Sequence, residues 1–304
     1  MKSSEFAYYY RRFKTYGKVA RPDHWFKNVF MLVGMVAAGV YGHVIFNPSL
    51  LWMSALALSL ACLTSSVNYI TNEIIDAQFD FEHPVKKARP IPSGIVTVKK
   101  LIYFNIYLAV IALSLSYLFF SKYFFYTIFA FFLQGVLYNV PPVRGKDLPI
   151  LDVILESVNN PIRLLLGWYA VLPETHPPLI LLAFYWFFGA FLMNAKRFAE
   201  YRFLGRQVAL QYRIVFKYYS ENFLFWIGFI YTLASVITFI MIALKYKPTL
   251  LYSSPFVVIF FIWFYILSVQ KNSIVKEPER IMEKKAFFSY SLFTLLFMML
   301  TLFL

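Results

Sequence analysis

Residues 72–80 read Asn72-Glu73-Ile74-Ile75-Asp76-Ala77-Gln78-Phe79-Asp80 and follow directly on an apolar run that begins near residue 50. On a helix, Asn72, Asp76 and Asp80 would stack on one face, because they are spaced at i, i+4 and i+8. Carboxylates beside hydrocarbon are costly unless something neutralises them. Mg²⁺ prefers oxygen ligands and shares its remaining positions with water and substrate phosphates. The stretch therefore predicts a membrane helix that ends in a Mg²⁺ site.

Basic residues follow this stripe in the segment His83-Pro84-Val85-Lys86-Lys87-Ala88-Arg89-Pro90. Two acids followed by three cations beside a membrane predict a site for a metal-bound diphosphate, with Lys86 and Arg89 as phosphate ligands. The alternative is an ordinary solvated helix end. The spacing argues against it, because carboxylates at i and i+4 repel each other unless a counter-charge lies between them.

The composition indicates a membrane protein. Of the 304 residues, 60% are hydrophobic and only 14% are charged, whereas soluble domains average about a quarter charged. Runs of about 20 apolar residues are long enough to cross a bilayer as helices. The chain is therefore expected to be all-α, a bundle of about nine transmembrane helices. The predicted spans are 29–46, 50–72, 101–120, 122–140, 151–172, 178–195, 221–243, 250–269 and 286–304.

The net charge of +14 is unevenly distributed, since 25 of the 29 Lys and Arg residues lie in the N-terminal segment and in alternate loops. This is the positive-inside pattern. It predicts a cytoplasmic N-terminus, a cytoplasmic active face and a multi-pass protein, in the cell membrane if the organism is prokaryotic. The basic excess is explained by topology and by attraction to the anionic bilayer, so nucleic acid is not expected as a partner.

Residues 1–28 do not read as a cleavable signal, because they contain no short apolar core before a small-residue cleavage site. The basic and aromatic residues from Phe6 to Val19 predict a helix that lies in the membrane interface. We therefore expect an interfacial basic segment over 1–28 and a single transmembrane domain over 29–304. Cys62 is the lone cysteine, so no disulfide is possible within one chain.

The fifth predicted span carries an unusual polar face. Its polar residues recur every three or four positions and are Asp152, Glu156, Asn159 or Asn160, and Arg163. Ionisable groups inside a span usually face the bundle interior and pair with each other. A structural Glu156–Arg163 pair and a stripe that lines the same cavity as the first motif are both compatible with this pattern.

Two further groups of cations allow two interpretations each. Arg144 and Lys146 follow a Pro-Pro turn, and Asn194, Lys196, Arg197 and Glu200 end the sixth span. Both groups could be ordinary positive-inside charge, or they could bind phosphate oxygens. The polar end of the sixth span weakly echoes that of the second, which hints at two related halves.

Nine apolar spans, with Asn72-x-x-x-Asp76-x-x-x-Asp80 ending the second, resemble the UbiA superfamily of intramembrane prenyltransferases. This resemblance implies a nine-helix bundle whose cytoplasm-facing cavity opens sideways into the lipid. Three stretches resemble the polyprenyl-phosphate phosphoribosyltransferase branch: 21–28 (RPDHWFKN), His83-Pro84-x-Lys86-x-x-Arg89-Pro90 and Lys196-Arg197-x-x-Glu200. That branch transfers ribose 5-phosphate from phosphoribosyl diphosphate to a polyprenyl phosphate. The implied ligands of Mg²⁺ are Asn72, Asp76 and Asp80, and the implied substrate ligands are Lys86, Arg89, Arg144, Lys146, Asn160, Arg163, Lys196, Arg197 and Glu200.

Two departures from the superfamily pattern bear on the substrate. Glu73 stands where an Asp is common, and residues 194–200 replace a second Asp-x-x-x-Asp with cations and one acid. The second departure argues against a second metal site and favours fixed cations that bind a lipid phosphate. Residues 138–142 and 156–160 are closer to the general pattern, so prenyl transfer to an aromatic or lipid acceptor is the alternative. A multi-span transporter that uses Glu156 and Arg163 is a third reading. The sequence gives no oligomeric state.

Overall fold

The computed structural model describes residues 16–45, 47–80, 91, 96–270, 273–276 and 278–304, and within these ranges the secondary structure is entirely helical. The side chains of residues 78–80, 211–212 and 278–279 are not described. Lys86, Arg89 and residues 6–15 of the predicted interfacial helix therefore lie outside the described part of the chain, as does the side chain of Asp80.

Nine α-helices of 12 or more residues lie in the described ranges, and each coincides with one predicted span. They are α1 (Phe30–Tyr41), α2 (Pro48–Asp80), α3 (Val98–Phe119), α4 (Lys122–Asn139), α5 (Leu151–Val171), α6 (Leu179–Tyr212), α7 (Glu221–Tyr246), α8 (Ser254–Val269) and α9 (Lys285–Phe303). By length and composition, six segments of the described chain could cross a membrane: those of α2, α3, α6, α7 and α9, and α8 together with the short helix before it.

Local sequence signals explain where several helices begin. Asn47 accepts a hydrogen bond from the Leu50 N–H at 2.8 Å and caps α2, and Ser121 and Ser220 accept in the same way at α4 and α7. Such side chains satisfy backbone donors that have no partner inside the helix. Gly205 interrupts α6 with φ +70°, a conformation that residues with a Cβ rarely adopt.

The chain divides into two compact units, and α5 contributes to both. The first unit comprises Met1–Arg144 and Ile162–His176, and in it α2 packs against α3, α4 and the 3₁₀ helix Pro22–Val29. Helices α1 and α5 meet at glycines: a Cβ on Gly34 would lie 2.2 Å from the Leu164 carbonyl oxygen, and one on Gly167 would lie 2.0 Å from that of Met31. Small residues of this kind let membrane helices approach closely.

The second unit comprises Gly145–Pro161 and Pro177–Leu304. Here α7 packs along α6, and α8 and α9 join an aromatic core of buried rings that includes Phe191, Phe261, Phe264 and Phe287. The Phe191 and Phe261 rings meet edge to face, with centroids 4.9 Å apart, a geometry that favours aromatic pairs. This core holds the part of α6 that carries the predicted cations.

Candidate functional site

Helix α2 continues without interruption to Asp80. Asn72, Asp76 and Asp80 therefore lie on successive turns of one helix face, as their spacing requires. The side chains of Asn72 and Asp76 are both partly buried. The first motif thus has a rigid support that would bring its oxygen atoms to one side of the helix.

Asp76 is bound by an arginine that lies 68 residues further along the chain. The Arg144 Nη2 donates to Asp76 Oδ1 at 3.0 Å, and the two side chains keep 17% and 16% of their exposure. A guanidinium thus stands beside the carboxylate that was predicted to hold a metal ion. The first unit already stabilises a positive charge at this carboxylate.

Asn139, at the end of α4, connects the remaining parts of this site. Its side-chain oxygen accepts from Asn72 Nδ2, and its Nδ2 donates to the Gly135 carbonyl at 2.9 Å. Its main-chain oxygen accepts from Arg144 Nη1 at 3.3 Å. Asn139 is buried, so one asparagine orients both the amide and the arginine that surround Asp76.

One turn deeper in α2, Asn68 extends the polar stripe. Its Nδ2 donates to the Phe131 carbonyl of α4 at 2.9 Å. A Cβ added at Gly135 would lie 2.1 Å from the Asn68 amide, which shows that the asparagine fills the space above that glycine. Helices α2 and α4 are therefore held in one register by the Asn68 and Asn72 amides.

Arg163 lies in the same unit and is bound by the N-terminal segment. Its Nε donates to Asn28 Oδ1 at 2.9 Å, and its guanidinium lies over the Phe131 ring. Asn28 is fully buried and also donates to Cys62 Sγ and Ser65 Oγ, at 3.3 and 3.2 Å. Asn28 is thus one partner of Arg163, and the sequence did not indicate this contact.

The 3₁₀ helix that carries Asn28 is attached to α2 by further polar contacts. Trp25 Nε1 donates to Ser66 Oγ at 2.9 Å, and Ser66 Oγ donates to the Ala20 carbonyl at 2.8 Å. These bonds satisfy buried or half-buried polar groups, whose burial without a hydrogen bond would cost free energy. Part of the RPDHWFKN stretch therefore acts as a strap that fixes the position of Arg163.

In the second unit, the predicted cations of α6 take part in a buried network of charges. Arg197 Nε donates to Asp152 Oδ2 at 2.8 Å, and Arg197 Nη1 donates to Glu200 Oε2 at 3.3 Å. Arg213 Nε donates to Glu200 Oε2 at 2.9 Å and its Nη2 donates to Oε1 at 3.3 Å. The Asp152 and Arg197 side chains are 0% and 2% exposed. Buried charges of this kind are tolerated only when they are paired.

Tyr219 completes this network. Its hydroxyl donates to Asp152 Oδ1 and accepts from the Ile150 N–H at 2.7 Å. Burial and the neighbouring Asp152 carboxylate raise the pKa of Tyr219 above its ordinary value, so the hydroxyl stays protonated and remains a donor. All four carboxylate oxygens of Asp152 and Glu200 are therefore engaged by protein groups.

Lys196 and Asn160 lie elsewhere in this second unit. The partly buried Lys196 is attracted by the charges of Glu200 and Glu156 and repelled by those of Arg197 and Arg213. Asn160 packs against α6, because a Cβ on Gly189 would meet its Nδ2 at 1.8 Å. Lys146 lies in the 3₁₀ helix Gly145–Asp147 and is partly buried.

The two polar centres differ in how well they suit a metal ion. Among the described residues, no group of three or more His, Cys, Asp or Glu side chains is placed to hold one, but the Asp80 side chain is not among these residues. Asn72 and Asp76 supply oxygens of the type that Mg²⁺ prefers, and a guanidinium already stands at Asp76. The first motif fits a metal ion, whereas the engaged carboxylates of the second unit do not.

Reasoning from sequence missed several residues of these centres, namely Asn28, Asn68, Asn139, Arg213 and Tyr219. Asn139 and Asn28 belong to stretches that the sequence singled out, but nothing in the pattern assigned them a contact. Arg213 carried only the signal of positive-inside charge. Arg197, predicted as a substrate ligand, is occupied by Asp152 and Glu200.

Comparison with known proteins gives relatives of similar sequence. Decaprenyl-phosphate phosphoribosyltransferase of Corynebacterium glutamicum is 27% identical over 221 residues, which are 72% of this chain and 63% of that protein. The protein of the same name from Mycolicibacterium smegmatis is 26% identical over 220 residues, 72% of this chain and 65% of that protein. The chain thus matches slightly less than two thirds of either relative's length.

A solved structure and a family model extend the comparison to nearly the whole chain. A UbiA homologue from Archaeoglobus fulgidus, solved with DMAPP and Mg²⁺ bound, has a TM-score of 0.66 at 17% identity and covers 95% of this chain and 98% of its own. At this low identity, the likeness shows only that the two chains share a fold. The sequence model of the UbiA prenyltransferase family matches residues 28–302. With its helices, its first motif and this match in agreement, the chain belongs to the UbiA prenyltransferase family.

Proposed function

We propose that the protein is an integral membrane transferase that moves a 5-phosphoribosyl group from phosphoribosyl diphosphate to a polyprenyl phosphate. The observation that carries this choice is the second unit, where guanidinium groups and a tyrosine engage every carboxylate oxygen of Asp152 and Glu200. Asp152 and Glu200 therefore offer no unengaged oxygen to a second metal-bound diphosphate, whereas a lipid phosphate needs only a cation. The names of the two matched relatives support the same substrates.

The reaction exchanges one bond to carbon for another. The bond from the ribose anomeric carbon to the diphosphate breaks, a phosphate oxygen of the lipid bonds to that carbon, and pyrophosphate leaves. The carbon becomes cationic as the bond breaks, so negative charge grows on the leaving group. Mg²⁺ held by Asn72, Asp76 and Asp80 would stabilise that charge when bound.

The chain's own residues bind and orient the two phosphate groups. Arg144 binds oxygens of the donor diphosphate, because a guanidinium fits phosphate with two parallel hydrogen bonds. Lys86, Arg89 and Lys146 are further predicted ligands. In the second unit, Lys196 binds the phosphate of the lipid acceptor, while Glu200 and Asp152 hold Arg197 and Arg213 in place. Asn160 and Arg163 remain predicted substrate ligands.

We further propose that residues 29–304 form one transferase domain with about nine membrane-crossing helices. In this proposal, residues 1–28 lie in the membrane interface, the N-terminus is cytoplasmic and the cavity faces the cytoplasm. The distribution of Lys and Arg supports this orientation. Six segments of the described chain already satisfy the length and hydropathy of a span.

The decisive experiment offers purified protein two donors in lipid vesicles that contain Mg²⁺. One reaction supplies phosphoribosyl diphosphate with a polyprenyl phosphate, and the other supplies a long-chain prenyl diphosphate with an aromatic or lipid acceptor. We expect pyrophosphate release from phosphoribosyl diphosphate alone. Release only from the prenyl donor would establish the general prenyltransferase alternative instead. Solute flux without turnover of either donor would indicate a transporter.

A further inference from the structure

Four residues of the first unit form a closed ring made of three hydrogen bonds and one turn of α2. Asn72 donates to Asn139, the Asn139 carbonyl accepts from Arg144, and Arg144 donates to Asp76. Asp76 lies one turn beyond Asn72 on α2, which closes the ring. Asn139 is the member that contacts both the amide and the arginine. The ring joins the metal-binding motif on α2 to the loop after α4.

The ring places two cations in competition for one carboxylate. Asp76 Oδ1 accepts from Arg144 at 3.0 Å, and the proposed function assigns the same carboxylate to Mg²⁺. A metal ion that takes this oxygen competes with the guanidinium, because two positive charges at contact distance from one ligand atom repel each other. The displaced guanidinium then lies beside the diphosphate that the metal ion carries.

We propose that Arg144 is an exchangeable counter-ion, which neutralises Asp76 before the donor binds and moves onto the donor diphosphate when the metal ion takes Asp76. Asn139 is the positioning residue that holds Asn72 and the start of this loop during the exchange. This inference rests on the proposed function, since it requires a metal-bound diphosphate at the first motif.

The contacts of Arg144 suit such an exchange. Its main chain is fixed, since its N–H donates to the Val140 carbonyl at 2.9 Å, while its side chain keeps 17% of its exposure. An ion pair that solvent still reaches is weaker than a fully buried one, whereas a guanidinium and a phosphate form two parallel charge-assisted bonds. The guanidinium can therefore leave Asp76 at small cost and gain by binding the diphosphate.

The test measures binding of Mn²⁺, a visible substitute for Mg²⁺ at oxygen sites, to the full-length protein in lipid nanodiscs by electron paramagnetic resonance. Each variant is titrated with Mn²⁺ alone and then with pyrophosphate at saturating Mn²⁺. For Arg144→Gln we expect affinity for Mn²⁺ alone to rise up to about fivefold, because a competing cation of this exposure is gone. We expect affinity for pyrophosphate to fall about tenfold, because a charge-assisted contact is lost.

Arg280→Gln is the matched control, because it also removes a guanidinium from an ion pair, here with Glu283 at 2.8 Å on the surface of the second unit. We expect it to change neither affinity. Opposite shifts in the two titrations of Arg144→Gln support the exchange. An Arg144→Gln protein that binds Mn²⁺ alone no more tightly than the parent protein overturns it.

The role of Asn139 is tested in the same titrations. Asn139→Leu should lower the affinity for Mn²⁺ alone severalfold, because Asn72 loses the oxygen that orients it. Asn139→Asp keeps that oxygen and should bind Mn²⁺ at least as well as the parent protein. Thermal unfolding is recorded for both variants. Equal loss of Mn²⁺ binding in the two variants would mean that Asn139 serves structure alone.

Asp76→Asn separates this inference from the proposed function. If it retains the Mn²⁺ affinity of the parent protein, the metal assignment fails and the exchange fails with it. If it loses Mn²⁺ binding while Arg144→Gln shows no gain, the metal site stands and only the exchange is wrong.

Discussion

The two units each pair a helix carboxylate with an arginine, but they bury the ion pair to different extents. In each, a carboxylate on a helix is bound by an arginine distant in sequence: Asp76 by Arg144 and Asp152 by Arg197. The first pair keeps about a sixth of its side-chain exposure, whereas the second is 0% and 2% exposed. The partly exposed pair is open to competition from other ligands, while a fully buried pair cannot lose one partner without great cost. Burial thus decides whether a pair can exchange ligands or must remain part of the structure.

The surroundings strengthen this contrast. Arg197 has a second acceptor in Glu200, which Arg213 also binds, and Asp152 is also bound by Tyr219. Each of these four charged groups therefore has partners that hold it in place. Glu200 serves two arginines at once, which explains why an acid remains in a segment otherwise rich in cations.

The largest expected difference between the two pairs is in stability. Arg197→Met should lower the free energy of unfolding by about 3–5 kcal/mol, because it removes the buried cation that Asp152 and Glu200 share. Arg144→Gln should lower it by less than about 1 kcal/mol. Denaturation in detergent with increasing SDS measures both. Equal losses would contradict the distinction that burial makes between the pairs.

For the carboxylates of the two pairs we expect the opposite order in turnover, with the larger direct effect on catalysis at Asp76 and the larger effect on stability at Asp152. Asp76→Asn should reduce Mg²⁺-dependent pyrophosphate release by about 10²–10³-fold with little change in the midpoint of thermal unfolding, since it removes charge where the leaving group is stabilised. Asp80→Asn should behave in the same way. Asp152→Asn should lower the midpoint far more than Asp76→Asn does. Glu174→Gln, at an exposed loop position, is the control for loss of a carboxylate. Full activity of Asp76→Asn would refute the metal assignment.

Disturbing the register of α2 and α4 should have a smaller but measurable effect on stability and on Mn²⁺ affinity. Gly135→Ala would place a methyl group 2.1 Å from the Asn68 amide, and overpacking of this kind costs about 1–3 kcal/mol. The shift should also disturb Asn72 and lower Mn²⁺ affinity. Gly17→Ala makes the same chemical change where no atom lies within 4 Å of the new Cβ, and it should leave both quantities unchanged.

The smallest expected effect concerns substrate affinity and tests the role of Lys196 in the second unit. Lys196→Gln should raise the KM for polyprenyl phosphate about tenfold, which is the loss of one charge-assisted hydrogen bond, and should leave the KM for phosphoribosyl diphosphate unchanged. Initial rates with each substrate varied in turn measure this. A rise in the KM for the donor instead would assign Lys196 to the wrong phosphate.

Local patterns in the sequence predicted much of this architecture. The spacing of Asn72, Asp76 and Asp80 predicted one helix face, and α2 does continue through all three. The apolar runs predicted the positions of nine helices that the described residues contain. These predictions succeed because helix periodicity and hydrophobic length act over a few neighbouring residues.

The partners of the charged groups could not be predicted in this way. The sequence offered a structural pair between Glu156 and Arg163 as one alternative, but it gave no sign of the bond from Arg163 to Asn28 or of the buried pair of Asp152 with Arg197. Arg144 and Arg197 looked alike as cations at the ends of spans. A single sequence records the type and local spacing of these residues, but their pairing depends on contacts between segments far apart in the chain.

The shortness of α1 has a consequence for the host membrane. Its 12 residues span about 18 Å, whereas the hydrocarbon core of a bilayer is about 30 Å thick. The 3₁₀ helix Pro22–Val29 directly precedes α1, and its Trp25 and Asn28 donate hydrogen bonds to side chains of α2. A thicker or thinner bilayer would strain this segment. Because Asn28 binds Arg163, a change in lipid acyl-chain length would thus also affect the position of the Arg163 guanidinium.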